Sequence, residues 1–149
     1  MGEPESDSRE RVKPTLPGGF RDYLPAEMIV RNRMIATIRG VFERFGFDPL
    51  ETPGMERRQV LTGNSSNFRM MIFDTRLGSP REEQASERTA LRFDLTVPFA
   101  RFAAQHLQEI GVPFRRYHIA TVWRAEKPQK GRYREFMQCD FDTIGTESN

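Results

Sequence analysis

Cysteine is almost absent from this 149-residue chain, which has one, Cys139. A single thiol cannot form an internal disulfide or build a cysteine-rich zinc site, so neither is expected, and no metal site is predicted. No apolar run approaches the roughly 20 residues that a membrane helix needs. Residues 1–13 lack the apolar core of a secretory signal. We therefore expect a cytoplasmic protein without a membrane segment.

Glycine-rich phosphate loops are also missing, because neither G-x-x-x-x-G-K-[ST] nor G-x-G-x-x-G occurs. The two histidines, His106 and His118, have no obvious Ser or Cys partner and are interpreted as structural or surface residues. Cys139 stands among alternating apolar residues and is expected to pack as a small core side chain. None of these residues indicates a nucleophilic active site.

Lysine is scarce, since three of the 23 Lys and Arg residues are Lys. Residues 115–134 contain one acid, Glu126, and seven basic residues: Arg115, Arg116, Arg124, Lys127, Lys130, Arg132 and Arg134. The whole chain is only +2, so the remainder is mildly acidic. Arg suits bidentate contact with phosphate or carboxylate, which favours one polyanion site in this window. A solvated charged face is the alternative interpretation.

The N-terminal part divides into a polar segment and a helix. Residues 1–13 are polar and aperiodic, which predicts a disordered leader, and residues 14–149 are expected to form one domain. The residues that follow a helical spacing predict an amphipathic helix over 26–45 that ends at Gly46. They are Met34, Ile38, Val41 and Phe45.

Extended segments are predicted at residues 47–52, 68–75, 90–95, 117–124 and 135–144. A second helix is predicted from Thr96, as its N-cap, to about residue 106, with Pro98 in the first turn and Gly111 beyond the end. Residues 54–67 carry little signal, and the stretch 63–67 looks mobile. Because the extended segments read as hairpins, an α+β fold with an antiparallel sheet is favoured.

The final extended segment has two unlike faces, because successive residues of a strand point to opposite sides. Met137, Cys139 and Phe141 form one face and are expected to be core. The other face combines an aromatic ring, an amide and two carboxylates: Phe136, Gln138, Asp140 and Asp142. Together with Arg124 and Glu126 on the preceding strand, this face suits a zwitterion and a phosphate. A sheet face open to solvent is the alternative.

Several segments resemble one known family. RYHIATVWRAEKPQKGRYREFMQCDFDTIG, residues 116–145, resembles motif 2 of class II aminoacyl-tRNA synthetases in its histidyl-tRNA synthetase form. LRFDLTVPFARF, residues 91–102, is similar to the segment with which that family contacts its amino acid. PGGFRDYLP at 17–25 and GFDPLETP at 46–53 resemble its N-terminal signature and motif 1. The resemblance runs in order from about residue 14 to residue 149, and it implies an antiparallel sheet flanked by helices.

The resemblance implies roles for the matching residues. Arg124 would bind the ATP α-phosphate as the catalytic residue, and Phe136 would stack on adenine. The other residues implied on the ATP side are Glu126 and Arg132. Those implied to hold L-histidine are Asp94, Thr96, Gln138 and Asp142. Those implied to meet the tRNA acceptor end are Lys127, Lys130 and Arg132. Pro53 would lie at the interface of a homodimer.

The implied reaction is formation of histidyl-adenylate from L-histidine and ATP, assisted by Mg²⁺, followed by transfer to tRNA(His). Trp123 departs from the family, which more often has Phe beside the motif 2 arginine. The sequence given ends at Asn149, before any counterpart of motif 3 or of an anticodon-binding domain. We therefore expect the N-terminal part of a catalytic domain that is inactive alone.

Two other functions stay open. One is a catalytically dead paralogue that senses histidine as a regulatory subunit of ATP phosphoribosyltransferase, although such a protein has little reason to retain the basic loop KPQKGRYREF. The other is a free-standing RNA-binding module, which Asp140 and Asp142 would oppose because carboxylates repel phosphates.

Overall fold

The computed structural model describes residues 12–63, 68–75 and 88–147. Most of the predicted leader, residues 1–11, lies outside the described residues, as do residues 64–67 and most of the polar connection at 76–87. The described elements are α1 (Pro25–Arg44), β1 (Asp48–Pro49), β2 (Met55–Arg57), α2 (Arg58–Thr62), a 3₁₀ turn (Arg69–Met71), β3 (Asp74–Thr75), β4 (Thr89–Leu91), α3 (Thr96–Ile110), β5 (Phe114–Trp123) and β6 (Glu135–Ile144).

A long hairpin of β5 and β6 dominates the larger sheet. The two ten-residue strands pair antiparallel from Phe114 opposite Ile144 to Trp123 opposite Glu135, which confirms the predicted hairpin. The short strand β1 lies parallel to β5 on its other side, so this sheet is mixed rather than purely antiparallel. The fold class is α+β, as predicted.

The first helix, α1, forms where the helical spacing predicts it. The Glu27 carboxylate accepts the backbone N–H of Leu24 at 3.0 Å, and Pro25 supplies a preset first residue, so the N-terminus is well defined. Gly46, with φ of +74°, follows the end. Phe42 packs against Tyr117 and Phe141 of the hairpin, with ring centroids 5.4 and 5.2 Å apart.

A second, smaller sheet has the order β2-β4-β3 and is antiparallel. Residues 54–67 show little hydrophobic periodicity, so the sequence does not predict β2 and α2, which lie there. The strand predicted over 68–75 is wrong except for β3, because the chain turns at Arg69–Met71. That turn lets Phe68 stack on Phe93 and lets Ile72 enter a buried cluster with Leu61, Ala90 and Phe93. Burial in this cluster outweighs the strand preference of the sequence.

The helix α3 starts at Thr96, as predicted, and ends at Ile110, about one turn beyond its predicted end near residue 106. Thr96 is not its N-cap, because the residue before it already adopts a helical backbone and the Thr96 hydroxyl contacts Asp140 instead. An Asp94 oxygen accepts the backbone N–H of Val97 at 3.1 Å and takes the place of the cap. Pro98 lies in the first turn and Gly111 follows the helix, as predicted.

The strand β6 contradicts the predicted core face. Cys139 is exposed and 56% of Phe141 is accessible, so Met137, Cys139 and Phe141 do not form an ordinary core. The reason is that α1 covers this side only in part: Phe42 packs on Phe141, and a cavity remains that is lined by Val30 and Met34 of α1 and by Met137 and Cys139. We name this side, bearing Tyr117, Met137, Cys139 and Phe141, the outer face of the hairpin.

Candidate functional site

The opposite side of the hairpin carries the polar residues, and we name it the charged face. Its cross-strand pairs are Arg116 with Asp142, His118 with Asp140, Ala120 with Gln138 and Val122 with Phe136. The predicted alternation along β6 is therefore confirmed. Residues 93–99, which lead from β4 into α3, contact this face through Phe93, Leu95, Thr96 and Phe99.

Arg124 and Phe136 come together at the turn end of the charged face. The Arg124 guanidinium carbon lies 5.1 Å from the centroid of the Phe136 ring. Its Nε donates to the backbone oxygen of Phe93 at 3.1 Å, which fixes the side chain. Within the described residues no protein acceptor binds the two terminal nitrogens, so an anion at this point would find a preoriented donor fork beside an aromatic ring.

The connection between β5 and β6 holds the remaining predicted basic residues. Lys127 and Lys130 are exposed. Arg132 donates to Glu126, so these two predicted ATP-side residues pair with each other. Mutual backbone hydrogen bonds between Gln129 and Arg132 close a tight turn at the tip of the connection.

Arg134 anchors this connection to the N-terminal segment. Its side chain donates to the backbone oxygens of Glu126 at 3.0 Å and Gly18 at 3.1 Å, and its backbone N–H donates to Gly19 at 2.8 Å. Gly19 has φ of +88°, and a Cβ there would lie 2.8 Å from the Arg134 side chain. Glycine is therefore required both for the backbone conformation and for the close approach.

The other end of the charged face is acidic and built around a buried cation. Arg116 has a fully buried side chain, and its Nη2 donates to Asp140 at 2.8 Å and also to Asp142. The Arg116 guanidinium lies 4.4 Å from the centroid of the Phe99 ring, on α3. Burial raises the pKa of the Asp142 carboxyl, and the charge of Arg116 opposes that rise.

Two more predicted histidine-binding residues border this acidic end. The Thr96 hydroxyl lies 3.4 Å from an Asp140 oxygen. Burial raises the pKa of the Asp94 carboxyl, and the nearby Asp140 charge acts in the same direction. Gln138 lies between the acidic end and Phe136 on β6, and its Oε1 is buried without a hydrogen-bond partner among the described residues. Asp94, Thr96, Gln138 and Asp142 thus lie in one region.

His118 lies beneath the acidic end, opposite Asp140. Only 2% of the residue is accessible, and neither ring nitrogen has a hydrogen-bond partner in the described part of the chain. Burial lowers its pKa to about 4, and the positive charges of Arg92 and Arg116 add to the effect. This ring is therefore neutral at pH 7.

Sequence reasoning misses the burial of Arg116, and it leaves Asp140 out of the implied ligand set, whereas the burial of His118 agrees with its interpretation as a structural residue. The basic window hides Arg116, and His118 has no catalytic partner nearby in the sequence, yet the two-residue period that groups the β6 side chains also places both residues with Arg124 on β5. The basic window is therefore not one polyanion surface. Arg116 is buried in ion pairs, while Lys127 and Lys130 are exposed.

Pro53 is exposed after β1, and no contact of the described residues tests its predicted place at a dimer interface. Among residues 12–63, 68–75 and 88–147, no helix is long and apolar enough to cross a membrane.

Comparison with known proteins agrees with the sequence resemblance. The family profile described as histidyl-tRNA synthetase matches residues 19–149. The histidine–tRNA ligase of Rhodopirellula baltica is 56% identical over 137 residues, which cover 92% of this chain and 30% of the relative.

Solved structures give the same result. The crystal structure of histidyl-tRNA synthetase from Nostoc sp. PCC 7120 matches with a TM-score of 0.78 and 37% identity, over 92% of this chain and 30% of that one. A Bacillus halodurans structure, described as an ATP phosphoribosyltransferase regulatory subunit/histidyl-tRNA synthetase, matches at a TM-score of 0.74 and 24% identity, over 99% of this chain and 35% of that one, and so shares the fold. The chain spans about 30% of the length of its relatives. It belongs to the histidyl-tRNA synthetase family.

Proposed function

We propose that the protein carrying this chain is a histidine–tRNA ligase, which activates L-histidine with ATP and transfers it to tRNA(His). The observation that supports this most directly is the pairing of Arg124 with Phe136 on the same sheet face as the carboxylates Asp140 and Asp142. One end of the face suits an adenine and a phosphate, and the other suits an ammonium group. A zwitterionic amino acid and ATP need both ends together.

In the first step, a carboxylate oxygen of histidine attacks the α-phosphorus of ATP. A new P–O bond forms, the bond from that phosphorus to the bridging oxygen breaks, and pyrophosphate leaves with the bonding electrons. Negative charge grows on the α-phosphate oxygens, where Arg124 presents its terminal nitrogens. Its bond to Phe93 holds the guanidinium in place, so little reorganisation is needed.

In the second step, the oxygen of a terminal ribose hydroxyl of tRNA attacks the carbonyl carbon of the adenylate. The bond from that carbon to the phosphate oxygen breaks, AMP leaves with the bonding electrons, and the hydroxyl proton is released. The exposed Lys127, Lys130 and Arg132 suit contact with the phosphates of the acceptor end. Mg²⁺ would neutralise phosphate charge. Glu126, whose carboxylate pairs with Arg132, is the residue that would hold the ion together with the phosphates of ATP.

We further propose that the intact protein is a homodimer in which α1 and Pro53 contribute to the interface, and that residues 14–149 form the N-terminal portion of its catalytic domain. The support is the apolar surface of α1, where Ile29, Val30 and Met34 are each more than half exposed. Exposed apolar surface of this kind is typical of protein–protein interfaces.

A histidine-sensing regulatory subunit is the second candidate, because the Bacillus halodurans structure shows that one fold is named for both activities. Such a sensor would need the acidic end of the charged face and would have no use for Arg124.

One substitution distinguishes the two candidate functions. In the natural-length protein, Arg124→Ala should lower histidine-dependent pyrophosphate exchange by about 10²–10³-fold, because a donor to developing charge is worth on the order of 3–4 kcal/mol. Histidine binding without ATP, measured by calorimetry, should be retained. Asp142→Ala should instead weaken histidine binding itself.

A matched control is Arg58→Ala, which breaks an ion pair with Asp74 on the smaller sheet and should leave the exchange unchanged. Full exchange in Arg124→Ala would contradict the role of Arg124. A protein that binds histidine but shows no exchange before any substitution would favour the sensor.

A further inference from the structure

Arg116 has an unusual set of contacts for a fully buried cation. One nitrogen, Nη2, reaches both Asp140 and Asp142, while Nε and Nη1 have no hydrogen-bond partner among the described residues. The ring of Phe99 covers the guanidinium at 4.4 Å. The two carboxylates are more open, with 20% and 35% of their side chains accessible. The arrangement therefore places a buried cation behind two carboxylates that are partly open to solvent.

A second buried arginine, Arg92, provides a comparison, because it contacts the backbone of two chain segments. Arg92 donates to the backbone oxygens of Thr121 at 2.9 Å and Thr52 at 2.6 Å, and so ties two chain segments together. Arg116 makes its charged contacts to side chains, and its one backbone contact, to Leu95, is long at 3.5 Å. Its bonds therefore organise carboxylates rather than the backbone.

The net charge of Arg116, Asp140 and Asp142 indicates which ligand group they could bind. Two neighbouring carboxylates repel, and without a cation one of them would take up a proton. With Arg116 between them both can stay ionised, and the three side chains carry a net charge of −1. His118, which also packs here, is neutral, and Asp94 supplies a further carboxyl at the border. The single unbalanced negative charge of Arg116, Asp140 and Asp142, with the Asp94 carboxyl beside it, favours binding of an ammonium group.

We infer that Arg116 is a positioning residue that holds Asp140 and Asp142 as an ionised pair, and that this pair binds the ammonium group of the amino acid substrate. The inference rests on the proposed function and deepens it. Arg116 acts through the two carboxylates and does not itself touch the substrate.

The test uses the full-length protein that carries this chain and measures the KM for histidine and the KM for ATP separately. In Arg116→Met, the KM for histidine in pyrophosphate exchange should rise by about tenfold or more, because one carboxylate takes up a proton and the other loses its orientation. The KM for ATP should stay within about twofold. Arg116→Lys should recover part of the histidine affinity, because a point charge keeps the carboxylates ionised without bridging them equally.

A second variant keeps the inference testable if Arg116→Met does not fold. Asp140→Asn preserves the shape and leaves Arg116 neutralised by Asp142 alone, so the net charge of the cluster becomes zero. The KM for histidine should again rise by about tenfold. Carboxyl-carbon NMR gives an independent readout, because the Asp142 carboxyl should titrate at higher pH in Arg116→Lys than in the unaltered protein.

The matched control is Arg101→Met, which breaks an ion pair of 2.6 Å with the buried Glu56, away from the charged face. It should lower thermal stability while leaving the KM for histidine unchanged. An unchanged histidine KM in folded Arg116→Met or Asp140→Asn would overturn the inference while leaving the proposed function intact. Absence of histidine-dependent exchange in the unaltered protein would instead overturn the proposed function, and the ammonium-binding part of the inference with it.

Discussion

The two faces of the β5–β6 hairpin reverse the usual distribution of residue types. On the charged face, Arg116 and His118 are almost completely buried, whereas on the outer face 56% of the apolar Phe141 is accessible. Charges tolerate burial here because ion pairs compensate Arg116, and burial holds His118 neutral. Apolar side chains are exposed because α1 covers them only in part. This contrast supports the proposed ligand site on the charged face and the proposed association surface beside α1.

The largest effect expected from this contrast is loss of stability in acid. His118 has a pKa of about 4 in the folded protein and about 6.5 when unfolded, so the unfolded chain takes up the proton first as the pH falls. This proton uptake has little effect on stability above pH 6.5. At pH 5 it should lower the free energy of unfolding by about 2 kcal/mol. Urea unfolding of His118→Gln should show a smaller drop in stability between pH 7 and pH 5 than the unaltered protein shows.

His106 on α3 provides the control, because its ring is only half-buried and pairs with Glu109. His106→Gln should keep the full acid loss. Equal losses in His118→Gln and the unaltered protein would mean that His118 is not the group responsible.

The outer face should respond in its state of association. The double variant Met34→Lys, Phe141→Lys replaces two apolar side chains that are more than half exposed with charged ones. The dissociation constant of the proposed homodimer, measured by sedimentation, should rise by about tenfold or more, because each charge would have to be desolvated at the interface. Asn32→Lys is the control, since residue 32 lies on the opposite side of α1 and is exposed and polar. An unchanged constant in the Lys pair would place the interface elsewhere.

The smallest effect compares one substitution on both faces of the same strand. Phe136→Leu removes the ring beside Arg124 and should raise the KM for ATP by roughly fivefold, since an aromatic contact of this kind is worth about 1 kcal/mol. Phe141→Leu makes the same change on the outer face and should leave that KM unaltered. Equal effects of the two substitutions on ATP would show that Phe136 acts through strand stability alone.

The elements with a strong local period are those that the sequence predicts well. The helix α1 and the strand β6 match their predicted limits, because a helical apolar spacing and a strict two-residue alternation act over many residues. The turn at Arg69–Met71 is not predictable in this way, because Phe68 and Ile72 are directed by contacts with Phe93 and Leu61, which are distant in the chain.

The candidate site divides in the same way. Alternation along β6 is enough to place Phe136, Gln138 and Asp142 on one face, and the pairing register confirms that grouping. Arg116 is misinterpreted from sequence because an arginine in a basic block gives no local sign of burial. Its environment depends on Asp140, Asp142 and Phe99, so it follows from strand register and from the placement of α3.

The contact between Arg134 and Gly18 joins residues 116 positions apart, and it sets an order of events during synthesis. At roughly 5–20 residues per second, the ribosome takes on the order of ten seconds to extend the chain from one partner to the other. During that interval the N-terminal glycine segment has no Arg134 to bind. The N-terminal glycine segment therefore gains its contacts with Arg134 only after the helices and strands between them have been synthesised.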